Sequence, residues 1–137
     1  MRRALATAAL AGVAAVAVAG CFDVQSPDLF LLTRTGQGGT LTLLVNDGGT
    51  IRCNGGKAKA ISDSSLISAR DLSDNLATDA QNHLTIPRAA GSVYYFTIKL
   101  QQGTVSFPDR AAATHKVLAQ AELLASQIAQ RDCGQTG

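Results

Sequence analysis

Histidine is scarce. His83 and His115 are the only two, 32 residues apart, and neither sits in an HxxxH or HExxH spacing. That excludes the familiar histidine metal motifs and leaves both as ordinary surface residues. Cysteine is scarce as well. Cys21, Cys53 and Cys133 contain no CxxC pair, so they do not form a zinc or redox motif. No G-x-S-x-G elbow occurs among the many serines, and no G-x-x-x-x-G-K-[ST] loop among the 13 glycines. Tryptophan is absent, and aromatics make up 4% of the 137 residues. Beyond residues 1–20, charge of either sign is balanced, with ten basic and ten acidic side chains. A neutral remainder lacks the dense cationic face that binds nucleic acid by counterion release. The 117 residues that follow suit one domain with one core, too few for a two-domain enzyme.

Residues 1–20 stand apart. Arg2 and Arg3 precede an uncharged run, 4–19, rich in Ala, Val and Leu and closing in small residues. This is the plan of a secretory signal peptide, and 16 residues are short for a membrane span. Val18-Ala19-Gly20-Cys21 at its end resembles the lipobox of bacterial lipoproteins. The resemblance implies cleavage before Cys21, lipidation of its thiol, and a membrane anchor on the extracytoplasmic face. Eight Arg against four Lys, with 23 Ala, resemble the composition of proteins from high-GC actinobacterial genomes, and the mature sequence resembles small actinobacterial lipoproteins of unassigned role.

Cysteine parity is consistent with this. An exported protein with three cysteines keeps a stray thiol; giving Cys21 to lipid leaves Cys53 and Cys133 as an even pair in an oxidising compartment. The alternative is two buried free thiols.

The remaining chain alternates between two periods. Residues 29–33, 40–45 and 50–53 read as strands separated by Gly-rich turns, with Leu41, Leu43 and Val45 on one face and Ile51 and Cys53 in phase. From a cap at Ser62 or Asp63, residues Leu66, Ala69, Leu72, Leu76 and Ala80 form a helical stripe. Residues 93–100 and 104–107 are strands around Gln101-Gln102-Gly103. A second helix starts near Arg110 or a Thr114 cap and runs to about Arg131, with Val117, Ala121, Leu124 and Ile128 inward. The order βββ-α-ββ-α predicts an α+β domain of two layers: an antiparallel five-stranded sheet with two helices on one face. The expected divisions are 1–20 signal peptide, 21–27 lipidated cysteine and tether, and 28–137 the single domain.

The residues left over for function are few. Asp71, Asp74 and Asp79 read as a solvated helix face. Arg52, Lys57 and Lys59 form a small basic cluster able to face anionic lipid. Tyr95 points away from the core side of its strand and is a candidate partner anchor, and the 82–88 connection is a further candidate surface. No cofactor, metal or nucleic acid is expected. The reading is a non-enzymatic envelope lipoprotein, a binding or accessory module whose partner is the membrane together with an unassigned envelope protein or ligand. A second reading comes from Thr40-Leu41-Thr42-Leu43, followed by a Gly-Gly turn and Cys53. This segment is similar to the subtilisin-inhibitor family and implies a small protease inhibitor. The chain departs from that family in lacking its second cysteine pair and its Gly-Thr-His-Pro segment.

Overall fold

A computed structural model describes residues 24–135. The leader and Cys21 lie outside the described residues. Strands β1 (Asp28–Gly36), β2 (Gly39–Asn46) and β3 (Thr50–Cys53) form an antiparallel meander. A two-residue strand, β4 (Lys59–Ala60), is added at its edge. Helix α1 (Asp63–Gln81) follows, then the hairpin β5 (Tyr94–Leu100) and β6 (Gly103–Pro108). A 3-10 turn (Asp109–Ala113) leads into α2 (Lys116–Arg131). β1 lies between β2 and β5, so the sheet order is β4-β3-β2-β1-β5-β6. The fold is α+β with two helices packed on an antiparallel sheet. Six strands stand where the sequence predicts five, and the order is ββββ-α-ββ-α. The added strand carries no apolar alternation, since Lys59 and Ala60 are both exposed; it forms because Thr50 and Ile51 offer free backbone groups to Ala60 and Lys59.

Alternation decides which face of the sheet is buried. Phe30 and Leu32, Leu43 and Val45, Ile98, and Val105 and Phe107 are essentially inaccessible. Each sits two residues from the next on its strand, as the pleat requires. Phe96 and Phe107 stack with centroids 5.2 Å apart toward the β6 edge of this layer. Helix α1 covers it with Ala69, Leu72, Leu76 and Ala80. Its N-cap is Ser62, whose hydroxyl accepts from the Ser65 amide. Ser65 is buried at that end of the stripe, while Leu66 is only half-buried.

Helix α2 starts later than the sequence suggests. The alanines 111–113 take up the 3-10 turn, and His115, not Thr114, is the N-cap. The stripe shifts with it: Leu118 is buried and Val117 is only half-buried. α2 packs against both the 3-10 turn and α1, so its buried face is wide and includes Ala125 and Ala129.

The end of α2 is tied to the sheet. Cys53 and Cys133 form a disulfide, Cα atoms 5.9 Å apart. Beside it, Asp132 accepts from the Ser62 amide at 2.9 Å, which joins the end of α2 to the start of α1. The other end of the sheet is closed differently. The Ile86 N–H donates to Ser106 O at 2.8 Å and the Ser106 N–H donates to Leu84 O at 2.9 Å. Residues 84–86 therefore run parallel along the free edge of β6.

Candidate functional site

With the helices on one side, the other side of the sheet is uncovered. Its residues are set by the pleat: Leu31, Thr33 and Thr35 on β1, Thr40, Thr42 and Leu44 on β2, Arg52 on β3, and Tyr95, Thr97 and Lys99 on β5. Register arranges them in rows. Thr42, Thr33, Thr97 and Ser106 are successive partners on four strands. The adjacent row is Arg52, Leu44, Leu31, Lys99 and Thr104. Two leucines thus lie side by side with a cation at either end. Strands about 4.8 Å apart place the Arg52 and Lys99 backbones about 14 Å apart. Both cations are exposed.

The basic cluster expected from the sequence gathers at the β3–β4 edge. Lys59 pairs with Ile51, Lys57 precedes it in an exposed loop, and Arg52 Nη1 donates to Gly56 O at 3.2 Å. Tyr95 is separated from this cluster by β1 and β2, so the four residues do not converge on one point. Tyr95 is also committed locally. Its hydroxyl donates to Ile86 O at 3.0 Å, and the Arg88 guanidinium lies 4.9 Å from its ring centroid. Arg88 in turn donates to Thr35 Oγ1 at 3.1 Å. The 82–88 connection is therefore fastened across the end of the open face by Tyr95. The two histidines are exposed: His83 follows α1 in a left-handed conformation, φ 53°, and His115 caps α2.

The acidic side chains are concentrated on the helix layer, which also carries the cations Arg70, Lys116 and Arg131. Asp63, Asp71, Asp74 and Asp79 lie on α1, Glu122 on α2, and Asp132 at its C-cap. Asp47, in the β2–β3 turn, is paired with Arg70 of α1 at 2.6 Å. At the rim of the open face Asp28 accepts from Asn46 Nδ2 at 3.0 Å. Among the described residues it is the only carboxylate that the strand register places on that face.

One feature has no signature in the sequence. Asp109 accepts from the backbone N–H groups of Val93, Tyr94 and Arg110 at 3.0, 3.3 and 2.9 Å. Burial pushes its carboxyl upward, but these three donors outweigh it and hold the pKa below the ordinary value. Glu122, the one glutamate of the chain, is pushed the other way, to about 7, by burial and then by the Asp109 charge. One of its oxygens is buried without a hydrogen-bond partner. A lone acid on a helix makes no motif, so only the packing of α2 beside Asp109 exposes it. Neither carboxylate lines the surface groove beside Lys99–Thr104 or the one between α1 and α2 at Asn75 and Leu123. Among the described residues no three His, Cys, Asp or Glu side chains cluster to hold a metal ion.

The Glu122 shift has a signed consequence. Its folded pKa lies above the unfolded value, so the folded state binds the extra proton between about 4.5 and about 7. Stability falls as pH rises through that window. Glu122→Gln is expected to raise stability above pH 7 by about 1 kcal/mol, discounted for partial solvent screening, and to change little near the low end of the window. Urea melts at the two pH values measure this, and an equal effect at both would show that the carboxyl is not strained.

No protein-family model matches the chain, and the searches of curated proteins and of solved structures found no similar protein.

Proposed function

We propose that the chain is an exported lipoprotein, lipidated at Cys21 and held on the extracytoplasmic face of a membrane. Its folded domain serves there as a binding or accessory module and not as an enzyme. The observation that carries this reading is the Cys53–Cys133 bond. It occupies the other two cysteines and leaves Cys21, at the end of the lipobox-like Val18-Ala19-Gly20-Cys21, as the one thiol without a protein partner in the pairing scheme. A disulfide also fits an oxidising compartment. Two acyl chains make anchoring stable where one is marginal. The module part of the reading is supported by the exposed, unclustered histidines and by an apolar sequence pattern most of which is spent on the core.

Cys21→Ser is expected to release the protein from membranes or to leave the leader uncleaved. Membrane fractionation and detergent-phase partitioning measure it. A mutant that matures and partitions as the parent does would overturn the proposal.

One observation keeps the inhibitor reading in play. Residues 54–58 are exposed and begin immediately after the bonded Cys53. They are braced by Asn54, whose N–H donates to Thr42 O and whose Oδ1 accepts from the Thr42 N–H, at 2.8 and 2.9 Å. A braced loop beside a disulfide is what a standard inhibitor presents. Stoichiometric inhibition of subtilisin by the purified mature protein would favour this reading over the first.

A further inference from the structure

We propose that the open face of the sheet, along the row Arg52-Leu44-Leu31-Lys99, lies against an anionic lipid surface. The inference rests on the anchored reading of Cys21 and adds to it an orientation and a lipid preference.

Three observations converge on this face. The first is charge. Arg52 and Lys99 flank the row, and Lys57 lies in the exposed loop beside Arg52, while Lys59, opposite the buried Ile51, belongs to the helix side of the edge. The carboxylates of α1 and α2 are on the opposite layer, and Asp28 at the rim is held by Asn46. A protein with balanced charge overall therefore turns a basic side outward. The second is chemistry. Leu31 and Leu44 are cross-strand partners on the outward side, half-buried and outside the core cluster. Apolar side chains bracketed by cations suit the boundary between headgroups and acyl chains, where phosphates meet the cations and the leucines leave water.

The third is where the chain enters. Val24 lies in the groove formed with Lys99, Gly103 and Thr104, at the Lys99 end of the row. Cys21 is three residues upstream, a reach of about 10 Å at most. An acylated Cys21 therefore holds Lys99 close to the headgroups. The rest of the row, extending about 14 Å across the strands, follows if the sheet lies flat. The Thr33, Thr42 and Thr97 hydroxyls of the neighbouring row can then share the hydrated headgroup layer.

The test uses the full-length lipidated protein in vesicles of phosphatidylglycerol with phosphatidylcholine, and in phosphatidylcholine alone. Intact mass of the N-terminal peptide first reads whether Cys21 carries acyl chains. Acetylation rates of Lys99 and of Lys116, which lies on the helix layer, are then compared by mass spectrometry. Lys99 is expected to react about five-fold more slowly in the anionic vesicles than in the neutral ones, with Lys116 unchanged. High salt should remove the difference. Arg52→Glu, at the far end of the row, should also restore Lys99 reactivity. Proximity to the anchor alone would not produce that result. An unmodified Cys21 overturns the anchor. With Cys21 acylated, equal protection in the two vesicle types, or protection indifferent to Arg52→Glu, overturns the lipid-facing sheet. Protection found in native membranes but not in anionic vesicles assigns the face to a protein partner instead, and overturns the proposal as well.

Discussion

Replacing Cys53 and Cys133 together by serine is expected to cost about 4.5 kcal/mol of folding stability. That is the chain-entropy value for the 80-residue separation the bond spans. A domain of this size commonly has only about 5–15 kcal/mol in total. The melting temperature should therefore drop by roughly 20 °C, and the urea midpoint with it. The single mutants should behave like the double, because either one opens the same loop. The bond sits where three elements end: β3, the start of α1 and the end of α2. The Asp132 hydrogen bond to Ser62 is expected to survive the substitution, but it cannot replace the restraint on the unfolded chain. A loss below about 1 kcal/mol would mean that the unfolded chain is already held compact there without the bond.

Gly103→Ala should be nearly as damaging, by a wholly local route. Gly103 opens β6 with φ of 153°, and a Cβ placed there would overlap the carbonyl oxygen of Ala80. It would also meet the His83 ring at 3.1 Å. The obstacle is backbone in the last turn of α1, at the buried Ala80, so no flexible side chain is there to give way. Strain and overpacking together are expected to cost about 3–5 kcal/mol. Gly38→Ala is the control. It too has positive φ, 85°, but nothing lies within 4 Å of the added atom, and about 1 kcal/mol is expected. Denaturant melts of the two variants should differ severalfold in cost. Equal costs would locate the penalty in the dihedral and not in the contact with α1.

These two positions show what was legible before folding and what was not. The disulfide could be inferred by counting, and its placement at element ends followed from the strand and helix patterns. The helix stripe of α1 and the buried faces of β2 and β5 were likewise visible, because periods of 3.6 and 2 are written in residues such as Leu72, Leu76, Leu43 and Ile98. Gly103 was visible only as a turn residue; that it touches Ala80 depends on how the hairpin meets α1. β4 escaped because its two exposed residues carry no period. The start of α2 was misplaced because an alanine run is equally compatible with a 3-10 turn, and the choice was made by Asp109 bonding back to Val93 and Tyr94. For the open face, alternation in the sequence places Tyr95 outward, and the part played by Lys99 is seen only in the folded register. The alignment of Arg52 and Lys99 with Leu31 and Leu44 needed the strand order, which places β1 between β2 and β5 and is not encoded in any local pattern. The opposed shifts of Asp109 and Glu122 arise entirely from tertiary neighbours.

The two sheet edges also determine how molecules of this protein meet one another. At β6, the Ser106 amide and carbonyl are already engaged by Ile86 and Leu84. At the opposite edge, β4 offers an incoming strand only two residues, one of them a lysine. Growth by strand addition is therefore limited on one side by occupancy and on the other by shortness and charge. A neighbouring molecule finds only short stretches of edge on which to extend the sheet, a poor starting point for fibrillar polymerisation through the native fold.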